Sequence, residues 1–280
     1  MAVYIDGKAL AAKEKERLME EAKKLPRKPG LAVILVGDDP ASRVYVNNKE
    51  KDCAQCGFLS REYLLPEQTR EEALLELIAE LNQCGEIDGI LVQLPLPRQI
   101  SEQRVIEAIA QDKDVDAFHP ANVGRMMTGD PYFLPCTPAG IMEMFRAYGI
   151  SVAGKRCVVV GRSNIVGKPM AQLLIQNDGT VTTCHTKTKN LSEITRQADI
   201  LVSAAGQRNL ITGDMVKEGV VVIDVAMNRN EEGKFCGDVN FAEVSAKASY
   251  ITPVPGGVGP MTRVILLRNI LTAAQRHQAK

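Results

Sequence analysis

The chain has 280 residues, which is long for one domain and sufficient for two modest domains that each bury a core. Its 34 basic and 34 acidic residues cancel, which excludes the large positive field of a protein that binds nucleic acid or an anionic membrane. No apolar run reaches the roughly 18 residues of a membrane span, so we expect a small-molecule partner.

The N-terminus and the cysteines indicate a cytoplasmic protein. Asp6 and Lys8 stand where a secretory signal would need its apolar region. The 7 cysteines are odd in number and scattered through apolar segments, which is typical of free thiols in a reducing compartment.

The first half of the chain alternates predicted strands with predicted helices, which is typical of an α/β domain. The predicted strands are 3–5, 31–36, 59–63 and 87–95, and the predicted helices are 8–24, 42–56 and 70–82. Ser42 is the expected N-cap of the second helix, and Gly57 is expected to end it.

The predicted helix 42–56 places Tyr45 and Lys49 on one face, because residues four apart are neighbours on a helix. Val46 and Cys53 lie on the same stripe, so we expect Lys49 to point inward. An inward lysine is either a snorkelling side chain or a desolvated amine that exchanges protons, and the helix alone favours neither.

Cys53 and Cys56 form a C-x-x-C pair near the end of this helix. A thioredoxin-like pair would open a helix after a strand, and no further Cys or His pair completes a zinc site. Packing is the preferred interpretation, and we expect no metal.

Two later polar groups could join Lys49. Gln93 ends an apolar strand ahead of Pro95, and its amide could hold the lysine or a ring carbonyl, a surface strand end being the alternative. Asp116 could accept paired N–H bonds from an aminopyrimidine, although aspartates in such loops are commonly turn formers. We expect His119 to be structural.

The chain is predicted to change domain at Thr137, a suitable N-cap followed by Pro138. The segment 252–262 marks the return, because its 3 prolines and 3 glycines favour an irregular backbone that can approach a ligand closely. A plain linker is the alternative, but linkers are usually polar. A final helix is predicted from 263 to about 275. The predicted domains are 1–137 together with 262–280, and 138–261.

A buried apolar strand, 157–160, ends at Gly161, and we expect a helix to begin within one turn. Amides at a helix start lack an intrahelical partner and carry a partial positive charge, so a glycine turn there can hold a pyrophosphate. An ordinary strand-to-helix turn is the alternative, since the spacing of Gly161 and Gly167 is not the usual G-x-G-x-x-G.

The strands that follow predict a Rossmann-type, doubly wound parallel sheet, because β-branched runs alternating with helices imply right-handed βαβ crossovers. These further strands are 180–184, 199–203 and 220–224. Ligands of such sheets bind beyond the carboxyl ends of the strands, where Ala205, Gly206 and Val225 also fall.

The second strand of this domain indicates the cofactor. An NAD-selective site usually has a carboxylate there for the ribose 2′-OH, but the chain offers Thr186, Lys187 and Lys189. Arg162 lies in the glycine loop itself. We therefore expect NADP rather than NAD; the alternative for the two lysines is a solvated loop.

Six motifs together resemble one family, the bifunctional methylenetetrahydrofolate dehydrogenase/methenyltetrahydrofolate cyclohydrolases. The motifs are Tyr45-x-x-x-Lys49, 88–97, 113–116, 135–138, 161–169 and 253–262. The resemblance implies NADP-dependent oxidation of 5,10-methylenetetrahydrofolate, then hydrolysis of the methenyl product to 10-formyltetrahydrofolate, in one-carbon metabolism and purine biosynthesis. It also implies one cleft between two α/β domains of a homodimer.

The resemblance implies a role for each site residue. Lys49 would be the general acid/base of hydrolysis, Gln93 would orient it, Tyr45 would stack near the folate rings, and Asp116 would grip the pterin amino edge. The folate pocket would include Leu94, Pro95, Val254, Pro255, Gly256 and Gly257. NADP would be bound by Thr137, Gly161, Arg162, Ser163, Ile165, Gly167, His185, Thr186, Ala205, Gly206 and Val225.

Ala117 and Ala226 stand where the family commonly has glycine, and a positive φ at either would cost on the order of 1 kcal/mol. Three other functions are the alternatives. A Tyr-x-x-x-Lys pair also serves short-chain dehydrogenases, but there the nucleotide loop precedes the pair. The others are a two-domain NADP dehydrogenase of a small hydroxy acid and a non-catalytic nucleotide-sensing protein.

Overall fold

The computed structural model describes residues 2–279, and of Ala41 it describes the backbone only. The strands are β1 (Val3–Tyr4), β2 (Gly30–Val36), β3 (Leu59–Leu65), β4 (Gly89–Val92), β5 (Arg156–Val160), β6 (Thr180–Cys184), β7 (Ile200–Ser203), β8 (Val221–Asp224), β9 (Asn228–Arg229), β10 (Phe235–Cys236) and β11 (Tyr250–Ile251). The helices are α1 (Gly7–Ala22), α2 (Pro40–Gln55), α3 (Glu71–Gln83), α4 (Glu102–Ala108), α5 (Pro120–Thr128), α6 (Cys136–Ala147), α7 (Gly167–Gln176), α8 (Leu191–Thr195), α9 (Phe241–Ser245) and α10 (Val258–Gln278).

The described residues form two compact units, and each unit combines separate stretches of the chain. We call them the sheet-of-three unit, Lys13–Leu134 with 263–279, and the sheet-of-six unit, 2–12 with Pro135–Thr262. The predicted division placed 2–12 in the first domain, whereas the structure groups them with the sheet-of-six unit. Met1 and Lys280, which the predicted division also covered, lie outside the described residues.

The N-terminal residues join the sheet-of-six unit because β1 is a strand of its sheet. Val3 pairs with Tyr250 of β11 in parallel register. Ile5 N then donates to Ile251 O at 2.9 Å, and the Ile5 side chain is fully buried. An apolar residue in this position anchors the segment through burial rather than through strand length.

The sheet-of-three unit is an α/β unit with the strand order β3-β2-β4, and both strand pairs are parallel. The central strand β2 is buried along its whole length, as its unbroken apolar sequence requires. Helices α2 and α3 follow β2 and β3 as crossovers, and buried residues of α3 pack with those of β2 and β4 in one core.

The sheet-of-six unit has the strand order β1-β11-β8-β7-β5-β6, and every pair in it is parallel. The strand after β5 in the chain, β6, lies on one side of it, and the next two strands, β7 and β8, lie on the other side. This reversal confirms the predicted doubly wound sheet and places its switch point at the end of β5, where Gly161 lies. β1 and β11 were not predicted as members of this sheet.

Two helix starts differ from prediction. The N-cap of α2 is Asp39, whose carboxylate accepts from Ser42 N at 2.7 Å, so Ser42 lies inside the helix. Helix α6 begins at Cys136, and Thr137 instead shares a 2.9 Å hydrogen bond with Thr262 through the two hydroxyls.

The segment 252–262 is only partly irregular, which corrects the prediction. Helix α10 already begins at Val258, so Pro260 occupies its first turn. Proline is tolerated there because the first amides of a helix have no intrahelical partner to lose. The irregular part is confined to 252–257. No helix in the described part of the chain is long and apolar enough to span a membrane.

Candidate functional site

Helix α2 carries Tyr45 and Lys49, and the structure brings Lys49 to Gln93. Val46 and Cys53, on the same helix face, are buried, while Lys49 is half-buried. Lys49 Nζ donates to Gln93 Oε1 at 3.1 Å. The methylene chain of Lys49 therefore lies along the buried face of the helix, and its amine binds the side-chain amide of Gln93.

The Gln93 amide is fixed from its other end. Its Nε2 donates to Leu94 O at 2.8 Å, which leaves Oε1 to face Lys49. Its backbone N donates to Ile34 O at 2.9 Å, so the residue extends the line of β4 beside β2. The Leu94–Pro95 peptide bond that follows is cis. The strand itself ends at Val92, earlier than predicted.

Tyr45 lies on α2 one turn before Lys49, and its side chain is 39% exposed. Partial burial raises the pKa of its phenol, and the charge of Arg263 opposes the rise. A raised pKa keeps the hydroxyl protonated at neutral pH. The side chain thus presents an aromatic face with a neutral polar edge, which suits stacking on a ring.

The loop that carries Asp116 is organised by its neighbour Asp114. The buried Asp114 carboxylate accepts from Phe118 N at 3.2 Å, from His119 N at 2.8 Å and from Asn122 Nδ2 at 2.8 Å. Burial raises the pKa of Asp114, and these hydrogen bonds oppose the rise. Asp114 is therefore the turn former among the two aspartates. His119 accepts from Ala121 N at 3.0 Å and caps α5, a structural role as expected.

Asp116 itself is half-buried and lines a small pocket. The apolar side chains of the pocket include Ile90, Val92, Leu94 and Phe118. Leu94 follows Gln93 in the chain, so this pocket adjoins the segment that holds Lys49. A carboxylate at the rim of an apolar pocket can bind the N–H edge of a flat heterocycle.

Ala117 has a left-handed backbone, with φ 61°, and its methyl group is buried. The expected strain is therefore present at this position. At Ala226 it does not arise, because the described non-glycine residues with positive φ are Ala117, Asp178, Asn190 and Asn209.

The C-x-x-C pair is buried in α2 and does not have the properties of a redox pair. Burial raises the pKa of Cys53 to about 12 and that of Cys56 to about 11. Thiols with such values stay protonated and unreactive at neutral pH. Among the described residues no group of three or more His, Cys, Asp and Glu side chains could hold a metal ion.

In the sheet-of-six unit, Gly161 lies where β5 ends and cannot be replaced without a clash. Its φ is 126°, and a Cβ there would lie 2.3 Å from Ala204 O. Gly167 is similarly constrained, since its Cβ would lie 2.3 Å from Gly161 O. The two glycines therefore let the turn fold back on itself and on the segment after β7.

Helix α7 begins at Gly167, later than the predicted single turn after Gly161. Ser163 Oγ accepts from Val166 N at 3.1 Å and from Gly167 N at 3.3 Å, which satisfies two amides near the helix start. Arg162, Ser163 and Ile165 are exposed. The Ser163 hydroxyl hydrogen and the Arg162 guanidinium are the donors that this turn can direct at an anion.

The end of β6 places His185 and Thr186 in a tight turn. His185 N donates to Thr188 Oγ1 at 2.8 Å, and His185 Nδ1 accepts from Lys187 N at 3.2 Å. Thr186 and Lys187 are exposed, so a hydroxyl and an ammonium group face solvent at the end of this strand.

Ala205 and Gly206 follow β7, and a residue that the sequence did not suggest holds them. The buried Asp238 carboxylate accepts from Ala205 N at 2.8 Å and from Gly206 N at 3.2 Å. Val225, after β8, donates its N–H to Ser203 O at 2.9 Å. The only sign of Asp238 in the sequence is the glycine before it. A Cβ at Gly237 would lie 1.8 Å from Asp224 Oδ2, so this position requires glycine.

The segment from Val254 to Gly257 is held by the start of α1, within the same unit. Lys8 N donates to Gly256 O at 3.0 Å, and a Cβ at Gly7 would lie 1.9 Å from Gly257 O. The Val254–Pro255 bond is cis, and Gly256 has φ 109°. Gly7 is thus a second residue that sequence reasoning missed.

Comparison with known proteins gives one family for both units. Residues 5–116 match the family described as "Tetrahydrofolate dehydrogenase/cyclohydrolase, catalytic domain", and residues 135–278 match its "NAD(P)-binding domain". A protein of Acetivibrio thermocellus named "Bifunctional protein FolD" is 57% identical over 98% of this chain and 97% of its own.

Two solved structures are also similar. The bifunctional FolD methylenetetrahydrofolate dehydrogenase/cyclohydrolase of Campylobacter jejuni has a TM-score of 0.97 and 52% identity, and each chain is covered to 99%. The corresponding Trypanosoma brucei enzyme, described as complexed with NADP cofactor and inhibitor, has a TM-score of 0.94 and 40% identity, with 98% of each chain covered.

Proposed function

The chain belongs to the tetrahydrofolate dehydrogenase/cyclohydrolase family, and from this premise we propose that Lys49, held by Gln93, moves the proton in its hydrolytic step. The enzyme oxidises 5,10-methylenetetrahydrofolate with NADP and hydrolyses the methenyl product to 10-formyltetrahydrofolate. The observation that carries the proposal is the 3.1 Å hydrogen bond from Lys49 Nζ to Gln93 Oε1.

Hydrolysis needs a group that can take a proton from water and return one to a ring nitrogen. As water attacks the cationic methenyl carbon, the Lys49 amine accepts a proton and a C–O bond forms. The hydroxyl of the adduct then loses its proton to form the formyl C=O as the C–N bond to one ring nitrogen breaks; that nitrogen takes a proton, and the formyl group stays on the other. One proton is released overall. Gln93 keeps the lysine head at one position throughout.

Tyr45, Gln93, Leu94, Pro95 and Asp116 are the proposed folate contacts of the sheet-of-three unit. The half-exposed Tyr45 ring supports stacking, and Asp116 at the rim of an apolar pocket supports recognition of the pterin amino edge. We propose Val254, Pro255, Gly256 and Gly257 as further folate contacts.

The residues at the switch point fit a dinucleotide. A backbone that only glycine permits at 161 and 167, with the Ser163 hydroxyl and the Arg162 charge exposed beside it, suits a pyrophosphate and a 2′-phosphate. We propose that His185 and Thr186 contact the adenosine ribose, and that Thr137, Ile165, Ala205, Gly206 and Val225 complete the site. Bound NADP supplies the hydride acceptor, so these residues need only hold and align it.

We also propose a cytoplasmic homodimer. All 7 cysteines are free in the structure, as a reducing compartment permits. β6 ends the described sheet and leaves one side unpaired, so it offers an edge that a second copy could cover. Light scattering on the purified protein measures the mass directly, and a monomer at micromolar concentration would contradict the dimer.

The role of Lys49 is tested by Lys49→Met, because methionine keeps the apolar stem and removes the amine. We expect hydrolysis of methenyltetrahydrofolate, followed by its absorbance, to fall by about a hundredfold to ten-thousandfold, which is the range of general acid–base catalysis. NADP binding by the variant should stay within about twofold of the wild type.

The matched control is Lys51→Met, at an exposed position two residues further along α2. It should hydrolyse the substrate at the wild-type rate. Undiminished hydrolysis by Lys49→Met would remove Lys49 from the mechanism. Absence of both activities in the wild-type protein would contradict the function itself.

A further inference from the structure

One buried carboxylate gathers an unusual number of donors in the sheet-of-six unit. Asp238 is fully buried and lies between β10 and α9. Its Oδ2 accepts from Ser203 Oγ at 3.0 Å, from Ala205 N at 2.8 Å and from Gly206 N at 3.2 Å. Its Oδ1 accepts from Gln207 N at 2.7 Å and from Asn228 Nδ2 at 3.0 Å.

Only a carboxylate satisfies this set. Oδ2 accepts from three donors and Oδ1 from two, so the roughly four lone-pair directions of a carboxylate are all used and one of them is shared. An asparagine would turn an NH₂ group toward one set of donors and leave those N–H groups buried and without an acceptor. The chemistry of the site therefore selects aspartate rather than a residue of similar shape.

Asp238 is itself held in place by a second buried carboxylate. Asp224 accepts from Asp238 N at 2.9 Å and from Val239 N at 3.0 Å. Gly237 allows this approach, because any Cβ there would overlap the Asp224 side chain. The carboxylate of Asp238 is thus delivered to one position by the end of β8.

The segment that Asp238 fixes lies at the carboxyl edge of the sheet, next to the switch point. The three successive backbone amides of residues 205–207 donate to the Asp238 carboxylate. The carbonyl of Ala204, one residue earlier, lies 2.3 Å from where a Cβ of Gly161 would be. A shift of this segment would therefore move one wall of the dinucleotide site and the backbone against which the glycine turn packs.

We propose that Asp238 is a positioning residue for the dinucleotide cofactor, which acts through the amides of residues 205–207 without contacting the substrate. This inference rests on the proposed function, because it requires that the segment after β7 borders NADP. It assigns to Asp238 a part in cofactor affinity and no part in the hydrolytic step.

The two activities of the protein separate this role from a general structural one. In Asp238→Asn we expect the KM for NADP to rise at least about tenfold, because the loop loses several of its charge-assisted bonds. Its kcat at saturating NADP and its hydrolysis of methenyltetrahydrofolate should stay within about twofold of the wild type. The matched control is Asp178→Asn, an exposed aspartate of the same unit, which should change none of these values.

An unchanged KM for NADP in a folded Asp238→Asn variant would overturn the proposal, and so would a loss of hydrolysis equal to the loss of dehydrogenation. A second measurement needs no variant. In the cofactor-free wild-type protein, the amides of residues 205–207 should exchange slowly with deuterium, because Asp238 already binds them. Exchange at the rate of an exposed loop would overturn the proposal even if the variant failed to fold. Wild-type protein without dehydrogenase activity would instead refute the proposed function.

Discussion

Asp224 is a buried carboxyl group whose protonation changes within the pH range of ordinary enzyme assays. Burial raises its pKa to about 6, the amides of Asp238 and Val239 oppose the rise, and the charge of Asp238 adds to it. The hydrogen bonds that Asp224 accepts therefore stabilise the fold, whereas the burial of its negative charge destabilises it. Its role in seating Asp238 explains why a carboxyl group is found in the core at all.

This balance predicts a pH-dependent stability. In the unfolded chain Asp224 loses its proton near pH 4, but in the folded protein it does so only near pH 6, so the free energy of unfolding falls as pH rises between these values. In Asp224→Asn this contribution is absent. From pH 4 to pH 7, the free energy of unfolding of the variant should therefore rise relative to that of the wild type by on the order of 3 kcal/mol.

Urea unfolding at several pH values measures this difference. The acceptor that asparagine lacks adds an offset, but that offset does not vary with pH. A difference that stays constant from pH 4 to pH 7 would show that Asp224 titrates normally.

At the residue scale, helical spacing was enough to find Lys49, because the face of a helix is set by local periodicity. Gln93 could be found because prolines end its strand. Asp238 could not be found, since its partners are Ser203, Ala205, Gly206 and Gln207, and only the sheet topology brings them together. The family resemblance predicts a strained backbone at Ala117, where glycine is common, and its φ of 61° confirms the strain.

At the scale of elements, the C-terminus of α3 is stabilised by a lysine that lies outside this helix. Lys113 Nζ donates to Leu81 O and to Cys84 O, each at 2.9 Å. Each of these carbonyls at the C-terminus of α3 also accepts one backbone N–H, from Cys84 and Ile87 respectively, and a cation there is favoured by the helix dipole. Burial lowers the pKa of Lys113, and the nearby acidic groups oppose that change.

Lys113→Met should therefore destabilise the protein by about 1–3 kcal/mol, because two carbonyl groups lose a hydrogen bond from a charged donor. The midpoint of urea unfolding reports this loss. Lys28→Met, at an exposed position in the same unit, should change the free energy of unfolding derived from that midpoint by less than about 0.5 kcal/mol. Equal midpoints for the two variants would mean that water replaces the lysine at the end of α3.

The existence of most helices and strands could be predicted, but several of their ends could not. Periodicity marks where a helix lies, whereas its first residue depends on which side chain reaches the free amides. Asp39 rather than Ser42 caps α2 for this reason. Helix α10 begins at Val258 despite the glycines and prolines around it, because packing outweighs local propensity.

At the scale of the whole molecule, the chain builds each unit from separate stretches, and its N-terminus is the part whose place sequence could not reveal. The two residues of β1 are exposed and show no buried periodicity. Their partner strand, β11, comes almost at the end of the chain. The boundaries near 135 and 262 could be predicted because an N-cap residue followed by proline marks the first and a Pro- and Gly-rich segment marks the second.

Ile5→Ala tests how firmly the N-terminal segment belongs to the sheet-of-six unit. Removing most of a fully buried side chain should cost about 2–5 kcal/mol. Hydrogen exchange should accelerate at the amides of β11 and β8 more than at those of β2. Val3→Ala is the control, because Val3 is 48% exposed and its truncation should cost less than about 0.5 kcal/mol. Uniform acceleration in both units would contradict the assignment.

The buried sulfur of Cys53, one turn beyond Lys49 on α2, has a practical consequence. With a pKa of about 12, only about one molecule in a hundred thousand carries the thiolate at pH 7. Alkylating agents and peroxides attack thiolates, so the helix that presents the amine should survive aerobic handling and electrophilic inhibitors aimed at cysteine. Covalent probes for this helix would have to target a functional group other than the Cys53 thiol.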